Sequence, residues 1–374
     1  MELKKNSSSI TRVVSSYLAN TDAPLWGAFL ALSVISIITL FGVGGISSAF
    51  FGRHVVTIVV AILVAVGVSF FNYRYLKNYS APVLAAYFVG IILLLVTLLS
   101  PSIRGTRAWI LFGGFSLEPS ELVKLALIIV MAKYFSQRHT HISLFRHIVA
   151  SGVYLGIPLV IILAQPDLGS SAVLVAIWLG MLLAAGINKR HLALLLGAGI
   201  VVAALAWQFG LAPYQRDRIL AFVDPYKDPT GIGYNIIQSK IAIGSGGWFG
   251  KGLGQGTQAS LGFLPEAYND FAFAALAEQF GLVGVAVILT LIIILLMRIM
   301  SIAQRSENNF AKLCCLGITL FIGTHVFVNA SVNLGILPIT GLPFSFLSYG
   351  GSHWLALGIG IGIVQGIKRH GSSL

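Results

Sequence analysis

Residues 271–297, FAFAALAEQFGLVGVAVILTLIIILLM, carry one charged side chain, Glu278. A helix needs roughly 17 to 25 consecutive apolar residues to cross a bilayer, so this run is long enough to span one. Further runs lie near 24–45, 54–71, 79–99, 120–135, 148–164, 168–187, 192–209, 311–332 and 346–367. The spacing predicts an all-α integral membrane protein of ten transmembrane helices, and the even number puts both termini on one side. Composition points the same way: 57% of the 374 residues are hydrophobic and 10% are charged, against about 25% charged in an average soluble chain. No single soluble core could bury that excess, and the same figures exclude a disordered chain.

The formal net charge of +12 would suggest nucleic acid in a soluble protein, but here the placement of the charges decides their meaning. Lys4, Lys5, Arg12, Arg74, Lys77, Lys133, Arg138, Arg146, Lys189, Arg190, Arg298, Arg305, Lys312, Lys368 and Arg369 fall on the side of the termini. The short loops opposite hold Arg53, Arg104 and Arg107. By the positive-inside rule the termini are cytoplasmic, and no nucleic-acid partner is expected. The N-terminal stretch shows no small-residue cleavage site and is read as retained. The expected organisation is a tail over 1–23, one transmembrane domain over 24–367 and a second tail over 368–374. About residues 210–270 form a long external loop between spans seven and eight. Such loops are functional or disordered. This one holds a helical-looking GYNIIQSKIAIGSG, the aromatics Tyr226, Tyr234 and Trp248, and glycines from Gly244 to Gly256, so it is expected to be ordered.

Ionisable residues within spans are costly and are functional candidates by default. In FSLEPSELVKLALIIV, Pro119 and Ser120 mark a helix start, and the spacing of three puts Glu121 and Lys124 on one face, where they can pair. An ammonium there suits a phosphate; its plainer role is a snorkelling side chain. Where the long loop ends, LPEAYNDFAF sets Asp270 at the start of the eighth span and Glu266 four residues earlier. A rim carboxylate on a rigid helix suits a general base, while an acid at a helix N-terminus also stabilises the dipole. Glu278 lies too deep for capping and needs a buried partner. Arg104, Arg107, Arg216, Arg218, Lys240 and Lys251 place cations on the external face, where a phosphate-bearing ligand at the membrane surface would give them a reason; bridges to Asp217, Asp224 or lipid headgroups are the plainer role. Asp167 reads as a helix cap, the adjacent Cys314 and Cys315 as packing residues, and His353 as structural rather than metal-binding. No HExxH, Walker A loop or CxxC is present, which leaves metalloprotease, ATPase and thiol redox chemistry without support.

Taken jointly, PSELVKLAL at 119–127, QPDLGSS at 165–171, DPTGIGYNIIQSKIAIGSGGWFGKGLGQGTQ at 228–258, LPEAYNDFAF at 264–273 and TGLPFSFLSYGGS at 340–352 resemble the SEDS family (shape, elongation, division and sporulation), most closely its elongation-type members. The resemblance covers nearly the whole chain. It implies a polymerase of the bacterial cytoplasmic membrane that joins lipid II units of peptidoglycan outside that membrane. Implied partners are a class B penicillin-binding protein that cross-links the product, other elongation-complex proteins, lipid II and membrane lipids. The family's essential acid falls on Asp270, its external-loop Glu on Glu266 and its intramembrane Lys on Lys124, with Glu121 beside it. Family members commonly carry Arg immediately before the Trp of the third external loop; here Ala108 precedes Trp109, and Arg107 lies one place earlier. Asn269 stands where Thr is usual, and Ser345 where a second proline is common.

The expected chemistry is inverting, with Asp270 as base and Lys124, Arg107, Arg216 and Arg218 toward the pyrophosphate. Whether a divalent cation accompanies the pyrophosphate is left open by the sequence. The rival is a flippase for the lipid-linked precursor, in which Lys124, Glu121 and Glu278 would mark a polar path.

Overall fold

The computed structural model describes residues 20–45, 48–102, 105–112, 115–138, 145–227 and 231–371. Lys4, Lys5, Arg12, Arg104 and Asp228, with nearly all of the N-terminal tail and the last three residues, lie outside them. A helix stands at each of the ten expected positions: α1 Ala23–Gly44, α2 Ala49–Ser69, α4 Ala81–Leu98, α5 Pro119–Ser136, α6 Phe145–Ala164, α7 Leu168–Ala184, α8 Lys189–Leu205, α12 Ala272–Arg305, α13 Asn309–Asn333 and α14 Gly351–Gly371. Shorter helices fill the connections: α3 Arg74–Asn78, α9 Pro213–Val223, α10 Ile232–Gly246 and α11 Thr257–Ser260. By length and composition, seven of the long helices are apolar enough to cross a membrane; α5, α7 and α14 are not among them. Helix α7 is short, and α5 carries Glu121, Lys124 and Lys133, all three buried against protein. The tenth helix starts at Gly351, not near 346, because 341–350 is irregular and packs into the site described below. A two-stranded antiparallel ribbon, β1 Ile110–Phe112 and β2 Phe115–Leu117, was not foreseen from the sequence.

Starts are set by side chains that accept orphan backbone N–H groups. Asp22 caps α1 through Leu25 N at 3.0 Å, Asp167 caps α7 through Ser170 N at 2.9 Å, and Asn308 caps α13 through Ala311 N at 2.9 Å. Packing then relies on small residues, as it must where lipid removes the hydrophobic drive between helices. Helix α14 lies closely along α2: a methyl group at Gly358 or Gly362 would collide with the carbonyls of Ala61 and Ala65. Helix α8, by contrast, has no buried residue.

Helix α12 is not continuous along its length. Gly281, at φ 63° and ψ −162°, breaks α12, and backbone groups freed in the membrane must find partners inside the protein. The glycine-rich part of the long loop supplies them. Lys251 N and Gly252 N donate to the carbonyls of Glu278 and Gln279 at 2.9 and 3.0 Å. On the other side of the break, Leu282 N and Val283 N donate to Gly247 O and Trp248 O at 2.9 and 3.1 Å. Gly246 and Gly250 sit so near the carbonyls of Ala277 and Gln279 that no side chain would fit. The buried carboxylate of Glu278 has the partner its depth demanded, Lys251 Nζ at 2.8 Å, and also accepts Gln258 N and Ala259 N at the start of α11.

The two ends of the bundle differ. At one, Asp22 forms a two-point ion pair with Arg298 and exchanges hydrogen bonds with Gln365, while Lys133 Nζ donates to the carbonyls of Leu76 and Lys77. At the other lie the long loop, the β-ribbon, the 165–167 connection, the 264–271 turn and the 341–350 segment.

Candidate active site

Residues 264–271 form a turn that leads into α12, and it is tied down at successive backbone carbonyls. Tyr268 O accepts Tyr349 N at 2.7 Å, and Asn269 O accepts the Ser348 hydroxyl at 2.6 Å. Asp270 O accepts the side-chain amides of both Asn329 and Asn333 at 2.9 Å. Glu266 adopts φ 53°, a left-handed conformation that is uncommon outside glycine and clusters at functional sites. Its carboxylate accepts Asn269 Nδ2 at 2.7 Å, so the residue in the usual threonine position holds the Glu266 side chain within the turn. Asp270 itself is half-buried. A cavity of about 260 Å³ opens against the same turn, lined by Leu40, Phe50, Leu264, Glu266 and Tyr268 among others; Glu266 reaches it and Asp270 is not among its lining residues. Phe50 and Tyr268 stack at 4.6 Å, with Tyr349 edge-on to both.

Beneath this rim, Glu121 and Lys124 meet as their spacing predicts, 2.7 Å apart and fully buried. Two histidines that the sequence did not single out for this role complete the cluster. His353 Nδ1 lies 2.9 Å from Glu121 Oε2, and His325 Nε2 lies 3.3 Å from Lys124 Nζ. His325 Nδ1 faces Pro343 O at 3.2 Å. A carbonyl only accepts, so Nδ1 carries the hydrogen and Nε2 offers its lone pair to the ammonium. Glu121, His325 and His353 have ligand atoms within 4.8 Å of one another, close enough to hold a metal ion. The Lys124 ammonium is already bonded into that space, so the set is neutralised from within and does not fit a metal ion beside it.

Above the cluster, Glu118 O and N mark the start of α5; its N–H donates to Ser352 Oγ at 2.7 Å, and its carboxylate accepts the Ser120 hydroxyl at 2.7 Å. Burial first, then the neighbouring Glu121 and Asp167 carboxylates, hold the Glu118 carboxyl above the usual carboxylate range. Arg107 and Arg218 lie near the 165–167 connection. Arg107 N donates to Gln165 O at 3.4 Å and its guanidinium to Leu98 O at 3.3 Å. Tyr214 donates to Pro166 O at 3.2 Å and carries the Arg218 guanidinium over its ring. Arg216 donates to Gln208 O at 3.1 Å, while its Nε is buried without a partner among the described residues.

The structure therefore joins Glu266 to the Asp270 turn and Glu121 to Lys124, and sets Arg107 and Arg218 about one connection. Lys124 and Glu121 are sealed from solvent and do not line the cavity beside Glu266. The residues missed were His325, Asn329 and Asn333. Their signal was present in THVFVNASVN at 324–333: polar groups every four residues along an otherwise apolar helix form one stripe.

Residues 19–373 match the model of the cell cycle protein family of FtsW, RodA and SpoVE. The chain is 37% identical over 346 residues to the peptidoglycan glycosyltransferase MrdB of Escherichia coli K12, covering 91% of each. It is 35% identical over 317 residues to the stage V sporulation protein E of Bacillus subtilis 168, covering 83% of this chain and 84% of that one. Among solved structures, it is similar to a chain of a peptidoglycan synthase complex that coordinates polymerization and crosslinking, with TM-score 0.80, 28% identity and coverage of 95% and 99%. It is also similar to the Thermus thermophilus rod shape determining protein RodA, with TM-score 0.70, 25% identity and coverage of 95% and 98%.

Proposed function

The chain belongs to the FtsW, RodA and SpoVE family of cell cycle proteins, and from that premise we propose that it is a peptidoglycan glycosyltransferase polymerising lipid II during cell elongation. It is a multi-pass membrane protein; the bacterial cytoplasmic membrane, with both termini cytoplasmic, is the setting that the basic residues at that end favour.

Asp270 is the general base. Its carboxylate takes the proton of the acceptor's GlcNAc 4-hydroxyl as that oxygen bonds to the anomeric carbon of the lipid-linked chain. The bond from that carbon to the pyrophosphate breaks, and undecaprenyl pyrophosphate leaves with the electron pair. Inversion converts an α-linked pyrophosphate into a β-1,4 glycoside, which requires one base and a cationic cradle. The observation that carries this reading is the fixed turn at the outer end of the bundle: the carbonyls of residues 268, 269 and 270 are each held by another element. A base works only when held within reach of its proton. Glu266 orients the acceptor, and Arg107, Arg216 and Arg218 form the cradle, guanidinium groups being suited to bidentate binding of phosphate. Lys124 and Glu121, sealed below, act by holding α5, α13 and α14 together. A class B penicillin-binding protein is the partner, by analogy with the synthase complex that this chain resembles.

Purified full-length protein given labelled lipid II tests the assignment. Asp270→Asn should polymerise about 10²- to 10⁴-fold more slowly than wild type while remaining folded, the range that general-base assistance supplies. An unaltered rate would remove Asp270 from the mechanism.

A further inference from the structure

Helix α12 starts with one rung of its hydrogen-bond ladder missing. The first regular bond runs from Ala275 N to Phe271 O at 3.0 Å, and the rung before it, Ala274 N to Asp270 O, is replaced by the side-chain amide of Asn333. Asn333 Oδ1 accepts Ala274 N at 3.1 Å, and Asn333 Nδ2 donates to Asp270 O at 2.9 Å. An amide carries a donor and an acceptor on adjacent atoms, so it can be inserted between the two groups that a helical turn would otherwise join. Phe271, the residue before the helix, makes no side-chain cap of its own, and Asn333 serves that purpose from another helix.

Asn329, one turn earlier on α13, completes the arrangement. Its Nδ2 donates both to Asp270 O at 2.9 Å and to Leu342 O at 2.7 Å, while its backbone carbonyl and Oδ1 accept Asn333 Nδ2 at 2.9 and 3.0 Å. Both asparagines are buried, at 1% and 0% exposure. The Asp270 carbonyl thus receives two side-chain donors, one for each lone pair, and the residue is held in a turn outside the helix.

We propose that Asn329 and Asn333 are positioning residues for Asp270: their amides take over the first rung of α12 and fix where the carboxylate-bearing residue leaves the helix. The proposal rests on the reading of Asp270 as the base. Neither asparagine touches substrate; each acts through the Asp270 backbone. A displacement of about 1 Å at a reacting group can cost on the order of 10²-fold in rate, so the effect belongs in kcat.

The informative variant is Asn333→Asp, which keeps an acceptor for Ala274 N but can no longer donate to Asp270 O. Asn329→Ser is measured beside it, so that a folding failure of one leaves the other. Ser239→Ala is the control: Ser239 Oγ donates to Asn333 O at 2.8 Å, so its loss loosens the same helix end without touching Asp270. Full-length protein in proteoliposomes is assayed with labelled lipid II. The two asparagine variants should lose about 10- to 100-fold in kcat with little change in KM, Ser239→Ala should keep its kcat, and Asn333→Asp added to Asp270→Asn should cause no further loss. Wild-type kcat in both asparagine variants, or an equal loss in Ser239→Ala, overturns the positioning role. Full activity of Asp270→Asn alone overturns the base assignment instead, so the two failures are told apart.

Discussion

Lys124 is fully buried, with one carboxylate and one imidazole as its partners. Removing one member of such a pair is far more damaging than removing both, because the survivor is left as an uncompensated charge in a low-dielectric interior. Lys124→Met should therefore lower stability by about 3 to 5 kcal/mol, and the double change Glu121→Gln with Lys124→Met should recover most of it. Thermal unfolding of the detergent-solubilised protein measures both; equal losses would mean that the ammonium faces a water-filled space. The pair was legible from its spacing of three, because both groups lie on one helix. His325 and His353 were not, because they arrive from α13 and α14, 201 and 232 residues further along. Sequence spacing carries no information about which distant helix turns a polar side chain inward.

Among the elements, the broken α12 shows most clearly where periodicity stops being informative. Hydropathy places the span within a residue or so of its start, since Ala272 is the first helical residue where 271 was expected. It is silent about the interruption at Gly281, which depends on the 246–252 segment entering the bundle to satisfy the freed groups. The glycines from Gly244 to Gly256 were visible as an ordered stretch, but their destination was not. Gly281→Ala strains a positive φ and drives a methyl group against Gly250 N and the Trp248 carbonyl. It should lower the unfolding temperature and open the 246–260 segment to limited proteolysis, whereas Gly199→Ala, with open space around it, should do neither. Equal protease resistance in the two variants would show that the loop is held by other means. The β-ribbon was missed for a simpler reason: three-residue strands are too short for alternation to register.

For the whole molecule, sidedness follows from which residues meet. Asp22, Arg298 and Gln365 converge at one end, and the Asp270 turn and the 341–350 segment at the other. Both native cysteines are buried, so an introduced thiol can be read without background. Asp217→Cys should react with a membrane-impermeant maleimide in intact spheroplasts, and Arg305→Cys only after permeabilisation; the reverse pattern would invert the orientation. The tie between Asp22 and Gln365 joins residues 343 apart, and α14 closes against the glycine-compatible face of α2. On the ribosome, the first segments must therefore enter the bilayer and wait, with that face against lipid, until the final helix is synthesised. A nascent chain stalled before residue 351 would be inserted but unsealed, a natural substrate for membrane quality-control proteases.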